Sequence, residues 1–239
     1  MNKKISVVIP TFNEENYIEK CLTSLLNQTL ERDEYEIIVV DGGSEDRTIK
    51  IAEKYADTVI FQRSEGVGGA RNDGVMESNS KIIATTDADI ILPPDWLERI
   101  FFNFSSRDIV ALFGPIIPIE NRFKYRFLIS LFNDCVHFLA KVSVFYATVG
   151  SNTAFRKDCF LKVGGYPEVP AGEDYGVAFR LKKLGRIYYD PKLRVHFSMR
   201  RMEKYGVISS LYNWTVNVLV ARFKLNDKIN VKEYTRQKY

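Results

Sequence analysis

"ISVVIPTFNEENYIEKCLTSLLNQ", Ile5 to Gln28, decides the fold. It opens with a β-branched apolar run that stops at a proline. Apolar residues then recur at Ile18, Cys21, Leu22, Leu25 and Leu26, the three-and-four spacing of one helix face. This predicts a strand followed by a helix, with Asn13 as the N-cap. The alternation repeats along the chain. "YEIIVVD" (35–41) precedes a helix over "EDRTIKIAEKYA" (45–56), "TVIFQR" (58–63) a helix near "ARNDGVMESN" (70–79), and "KIIATTD" (81–87) a helix over "PPDWLERIFFNF" (93–104). The strands are continuous apolar runs, the pattern of a parallel sheet covered on both faces. Residues 1–112 are therefore expected to form a doubly wound α/β half. Ligands of such sheets bind beyond the carboxyl ends of the strands. Pro10 to Asn13, Asp41 to Ser44 and Asp87 to Asp89 should accordingly share one rim.

The chain has 239 residues, 46% of them hydrophobic, enough for one sizeable ordered core. Residues 113–202 are expected to form a smaller acceptor-side half of the same body, and residues 203–239 a last helix and a basic tail. The stretch from Phe123 to Tyr146 places Phe123, Phe127, Leu131, Cys135, Phe138, Val142 and Phe145 three or four apart, interrupted by charges. It reads as an amphipathic helix rather than a membrane span. "EDYGVAFRLKKLG" (173–185) reads as a helix opened by two acids, "RIYY" and "RVHFS" as short strands, and 203–223 as a final helix carrying Tyr205, Tyr212, Trp214 and Phe223. The opening residues hold too short an apolar run for a signal peptide. Cys21, Cys135 and Cys159 lie far apart without metal-ligand spacing, which suits a reducing, cytoplasmic setting.

The net charge of +4 is unevenly distributed. From Arg194 onward ten Lys/Arg face three Asp/Glu, leaving an excess of three acids in the rest of the chain. The two aromatic helices read either as core or, with the basic tail, as a peripheral contact with the anionic inner face of a membrane.

"TTDADI", Thr85 to Ile90, puts two carboxylates at the end of a buried strand, where ionised groups are costly unless a cation meets them. Such a loop suits a divalent metal on one carboxylate and a ribose or metal-bound water near the other. Mg²⁺ and Mn²⁺ take hard oxygen ligands and complete their shells with phosphate and water. The alternative is a helix cap or surface turn.

Five segments in order, "VVIPTFNEENYIEKCLTSLLNQ", "EIIVVDGGSEDRT", "GVGGARNDG", "TTDADI" and "GEDYGVAFRLKKLG", resemble the family 2 glycosyltransferases across roughly the first 200 residues. The resemblance implies the GT-A fold and inverting transfer of sugar from a nucleotide diphosphate donor, UDP-sugar ahead of GDP-sugar, with Mn²⁺ or Mg²⁺. It implies that Pro10, Thr11 and Glu14 border the base and ribose, that Asp41 accepts from the base, and that Arg71 and Asn72 face the ribose or diphosphate. Asp87 and Ala88 would line the donor, and Asp89 would bind the metal. In the acidic pair, Asp174 would be the general base and Glu173 its support, although two acids also suit any helix N-terminus. His196 either completes the metal shell or is structural, and Arg200 and Arg201 would close on the phosphates. Gly150, Ser151 and Asn152 would contact the donor sugar and acceptor.

The QxxRW motif of processive synthases is absent, which favours addition of a single sugar. The acidic pair suits a hydroxyl acceptor such as a lipid-linked glycan, because a polyprenyl phosphate is already ionised and needs no base. A sugar nucleotidyltransferase would carry a Gly-rich, Arg/Lys-ended loop after the first strand, where this chain has "PTFNEE". An inactive nucleotide-sugar-binding module would not need the carboxylates. "GVGGARNDG" departs from a dinucleotide fingerprint by carrying Arg71 at the third glycine position. No nucleic-acid partner is expected.

Overall fold

A computed structural model describes residues 3–141, 150–167 and 173–206. The first half alternates as expected: β1 (Ile5–Thr11), α1 (Ile18–Leu26), β2 (Tyr35–Asp41), α2 (Thr48–Ala52), β3 (Thr58–Phe61), α3 (Gly66–Glu77), β4 (Ile82–Thr85), β5 (Ile90–Ile91), α4 (Trp96–Asn103) and β6 (Ile109–Phe113). There follow β7 (Ile116–Pro118), α5 (Phe123–Lys141), β8 (Thr153–Arg156), α6 (Lys157–Lys162), α7 (Glu173–Leu181), β9 (Arg186–Tyr189), β10 (Val195–Phe197) and α8 (Arg200–Tyr205).

The main sheet has the order β3-β2-β1-β4-β8-β6-β9. Its pairs are parallel except at β8, which runs antiparallel to both β4 and β6. One sheet therefore crosses the expected boundary at residue 112, which falls inside β6. A small sheet, β5-β10-β7, stands at the rim and ties the segment after Asp89 to the one before Arg200.

Strand alternation explains the two-sided core. Ile5, Val7, Ile9, Ile37, Val39 and Ala84 face α1 and α4, where Leu22, Leu25, Trp96 and Ile100 are buried. Val8, Ile38, Val40 and Ile83 face the other layer, packed with Ala70, Phe160, Val177 and Leu181. Helix α3 begins earlier than its sequence suggests, because its glycines belong inside it. A Cβ on Gly74 would lie 2.3 Å from Val8 Cγ1, so the helix packs onto the sheet through backbone.

Asn13 does not cap α1. It has φ 54° and sits five residues before the helix, a left-handed turn that asparagine tolerates. Its N–H donates to Ser44 Oγ (2.9 Å), and its Oδ1 accepts from the Glu45 N–H (2.9 Å). Glu14 N–H donates to Thr48 Oγ1 (2.7 Å), and Glu15 N–H to Asp46 Oδ2 (3.1 Å). The loops after β1 and β2 are thus laced into one unit. The expected helix to Tyr146 is seen as far as Lys141, and the expected aromatic helix beyond residue 206 lies outside the described residues, as does the basic tail.

Candidate active site

The strand ends converge as the doubly wound pattern requires. Thr11 pairs with Asp41 in the β1–β2 register, and Val8 with Thr85 in β1–β4. Two arginines from distant segments organise the acids that collect there.

Arg71, five residues into α3, is 3% exposed. Its Nη2 donates to Asp87 Oδ1 at 2.8 Å, and its Nη1 to Glu173 Oε1 at 3.1 Å and Asp174 Oδ1 at 3.3 Å. The fork geometry of guanidinium suits this: one planar cation serves carboxylates from the loop after β4 and from α7 at once. Tyr166 stands with its ring 5.7 Å from the guanidinium. Gly150 makes the room. A Cβ there would lie 2.5 Å from the guanidinium carbon and both terminal nitrogens. The Gly150 N–H donates to Asp174 Oδ2 (3.0 Å), and its carbonyl accepts from Thr85 Oγ1 (2.8 Å). Asp174 is therefore held on both oxygens.

Burial pushes the Asp174 carboxyl up from its ordinary 3.8 to about 7; Arg71 opposes the rise, while Glu173 and Asp87 add to it. A carboxyl poised there can take up a proton near neutral pH.

Arg200, at the start of α8, organises the second group. Its Nε donates to Asp89 Oδ2 (2.9 Å) and its Nη2 to Glu14 Oε1 (2.5 Å), while the guanidinium lies 4.2 Å from the centre of the Tyr17 ring. Glu14 and Asp89, from separate loops, thus converge on one cation position. Across both groups five carboxylates (Glu14, Asp87, Asp89, Glu173, Asp174) meet two guanidiniums, an excess of three acids when all are ionised. Hard oxygen donors in such excess fit a divalent cation. Among the described residues, no three His, Cys, Asp or Glu side chains form a ready-made metal cluster.

Other expected residues have different surroundings. Asp41 is 1% exposed and accepts from the N–H groups of Gly43 and Ser44 (2.8 Å each) and from Ser44 Oγ (2.5 Å), holding its own turn. Asn72 is turned to the loop before α7: its Nδ2 donates to the Tyr166 carbonyl (3.0 Å), and its Oδ1 accepts from the Tyr166 N–H (2.8 Å). Asn152 is fully buried, donates to the carbonyls of Leu193 (2.7 Å) and Pro115 (3.2 Å), and accepts from Trp96 Nε1 (2.9 Å), so its amide is satisfied within the core. Ser151 is buried beside it. Ala88 packs in the hydrophobic core between the two aspartates. Thr11 is buried and Pro10 half-buried at the end of β1. His196 is an exposed strand position opposite Ile91, while Asp89 meets Arg200. Arg201 follows on α8, its side chain outside the described residues.

The sequence reading missed Gly150 as the spacer for a buried guanidinium, and the aromatic supports Tyr17 and Tyr166. Tyr17 stands in the "NEENY" loop close to Glu14, a weak signal; nothing local marks Tyr166.

The model for "Glycosyl transferase family 2" matches residues 6–164 of this chain. The chain belongs to glycosyl transferase family 2. Among curated relatives of the chain, the "Glycosyltransferase AglE" of Haloferax volcanii is 38% identical over 118 residues, 47% of this chain and 39% of that protein. The "Glucosyl-dolichyl phosphate glucuronosyltransferase" of the same organism is 29% identical over 176 residues, 68% of this chain and 56% of that protein. The chain thus spans well under two thirds of the length of these relatives. Among solved structures, a mannosyltransferase from Pyrobaculum calidifontis in complex with GDP-Man and Mn²⁺ aligns with TM-score 0.73 at 20% identity, covering 99% of this chain and 67% of that one. TarS from S. aureus in complex with UDP-GlcNAc aligns with TM-score 0.65 at 20% identity, covering 82% and 58%. The chain shares their GT-A fold.

Proposed function

We propose that the protein transfers a single sugar, with inversion, from a nucleoside diphosphate sugar to a hydroxyl acceptor. The observation that carries this is Asp174: a carboxyl pushed up to about 7, held by Arg71 and the Gly150 N–H on the same rim as Asp87 and Asp89. The acceptor O–H gives its proton to the Asp174 carboxylate while its oxygen forms the new bond to the anomeric carbon. The bond from that carbon to the diphosphate breaks, and its electron pair leaves with the phosphate oxygen. Arg71, with Glu173 on the same nitrogen, keeps the base in place; we assign it a positioning role rather than a donor contact.

Asp89 and Glu14 are the residues proposed to hold a divalent cation, with Arg200 released toward the phosphates when donor arrives. Bound there, the cation would neutralise diphosphate charge that the surplus acids otherwise repel. Asp87, Pro10, Thr11 and the Asp41 turn are proposed to border the nucleotide; Asp41 retains acceptor capacity beyond its turn bonds. The solved relatives hold a GDP sugar in one case and a UDP sugar in the other, so both bases are candidates, UDP first. A relative named for acting on glucosyl-dolichyl phosphate supports a lipid-linked glycan as acceptor.

The test uses Asp174→Asn. Thermal shifts with UDP or GDP plus Mn²⁺ should match wild type, while sugar transfer is lost. Retained turnover would overturn the base assignment, and absent nucleotide shifts in wild type would overturn the donor class.

A further inference from the structure

Helix α5 has two faces of different character. Tyr125, Ile129 and Val136 are buried toward the body. Asn133 fixes that side to β7, donating to the Ile116 carbonyl (2.8 Å) and accepting from its N–H (3.3 Å). The other face carries Phe123, Phe127, Leu131 and Phe138, exposed by 83%, 58%, 59% and 64%. At about 100° per residue these four fall within roughly 80° of arc, so they form one stripe. Scattered apolar side chains on a surface are ordinary, but four on one arc of a folded helix, interrupted there by the exposed Asp134, mark a contact.

The charge around the stripe is mostly positive. Arg122, Lys124, Arg126 and Lys141 are exposed on the same helix or just before it, and Asp134 is the exposed acid among them. Beside the first turn lies a cavity of about 420 Å³ lined by Arg122, Lys124, Tyr125, Met202, Glu203 and Gly206, and Arg122 Nη1 reaches Glu203 at 3.5 Å.

We propose that the outward face of α5 docks on an anionic lipid bilayer. Its phenylalanines and leucine would enter the headgroup–acyl boundary, and the flanking cations would meet lipid phosphates, one of them in the cavity at Arg122 and Lys124. An interfacial helix needs this combination of apolar stripe and cationic flanks. A second copy fits less well, since a two-fold contact through this face would bring like cations against each other. Among the described residues no helix is long and apolar enough to cross a membrane, so contact through α5 lies in the membrane plane. The same α8 that lines the cavity with Met202 and Glu203 begins with Arg200 on Asp89, which places the surface beside the proposed donor site.

The test is flotation of the full chain with vesicles of phosphatidylcholine alone and with added phosphatidylglycerol, at low and high salt. Wild type should float with the anionic vesicles and be weakened by salt. Phe123→Ser/Phe127→Ser should weaken binding roughly tenfold or more with thermal stability unchanged. Lys124→Glu/Arg126→Glu should weaken binding and reduce its salt dependence, and Asp134→Asn should strengthen binding. No flotation of wild type, or equal flotation of the phenylalanine variant, overturns the proposal. A concentration-dependent dimer abolished by Phe123→Ser/Phe127→Ser, without vesicle binding, would assign the face to a second copy instead. None of these readouts requires a donor nucleotide, so the outcome stands apart from the transferase reading.

Discussion

Asp174→Asn should make the protein more stable as well as inactive, and the gain should depend on pH. The folded-state carboxyl is raised from 3.8 to about 7, so between those values the native state binds a proton that the unfolded chain has lost. Stability contributed by this group is complete below about pH 4, falls as pH rises through the window, and levels off above about pH 7. Each pH unit in the window is worth about 1.4 kcal/mol, which sets a ceiling near 4 kcal/mol for Asp174 alone. Its side chain is 21% exposed and it shares charge with Glu173 and Arg71, so we expect roughly 2–3 kcal/mol. Asparagine cannot ionise and approximates the neutral acid. For a chain of this size the variant should melt roughly 4–12 °C above wild type at pH 8, with the excess vanishing near pH 4. Calorimetric melts of both proteins across that range measure the difference directly, and titrating groups remote from Asp174 cancel in the comparison. A difference that is flat with pH, or that favours wild type at pH 8, would mean that Asp174 ionises normally, and the physical ground for the base would be gone.

Arg71→Met removes the cation that serves Asp87, Glu173 and Asp174; denaturant unfolding at neutral pH should show a loss of about 3–5 kcal/mol, recovering partly as the acids protonate at lower pH. Gly150→Ala forces a methyl group into the guanidinium, and should lower both the melting temperature and turnover, with a cost of about 1–3 kcal/mol that Arg71→Met largely abolishes in the double variant. Arg200→Ala should strengthen Mn²⁺ binding in the absence of nucleotide, read by titration calorimetry, while slowing transfer; unchanged Mn²⁺ affinity would argue against a shared position at Asp89.

The strands of the donor half were legible because each is an uninterrupted apolar run between polar turns, and Tyr35–Asp41 and Arg186–Tyr189 match their sequence bounds. Helix α3 was harder to bound. Its glycines look like loop residues until the sheet they press against is known, and only Val8 and Val40 on other strands explain Gly74. The rim was readable from the rule that ligands gather at strand ends, and so were the acids at 87, 89, 173 and 174. Their partners were not. Arg71 lies 102 residues from Glu173, and Arg200 lies 186 from Glu14, separations over which no local pattern carries information. Asn152 shows the same limit from the other side: a polar residue in a small-residue segment looks available for sugar, and only Trp96 and Leu193 reveal that it belongs to the core.

The reversed strand β8 has a practical consequence. Because it lies between β4 and β6, the segment from 153 to 156 completes hydrogen bonding for residues 82–85 far upstream. A fragment ending near residue 112 would leave β4 as a raw edge whose residues are otherwise buried, inviting aggregation. Swapping acceptor specificity between relatives by cutting at that point should therefore yield insoluble chimeras, and grafts that keep residues 153–156 with their host sheet are the workable route.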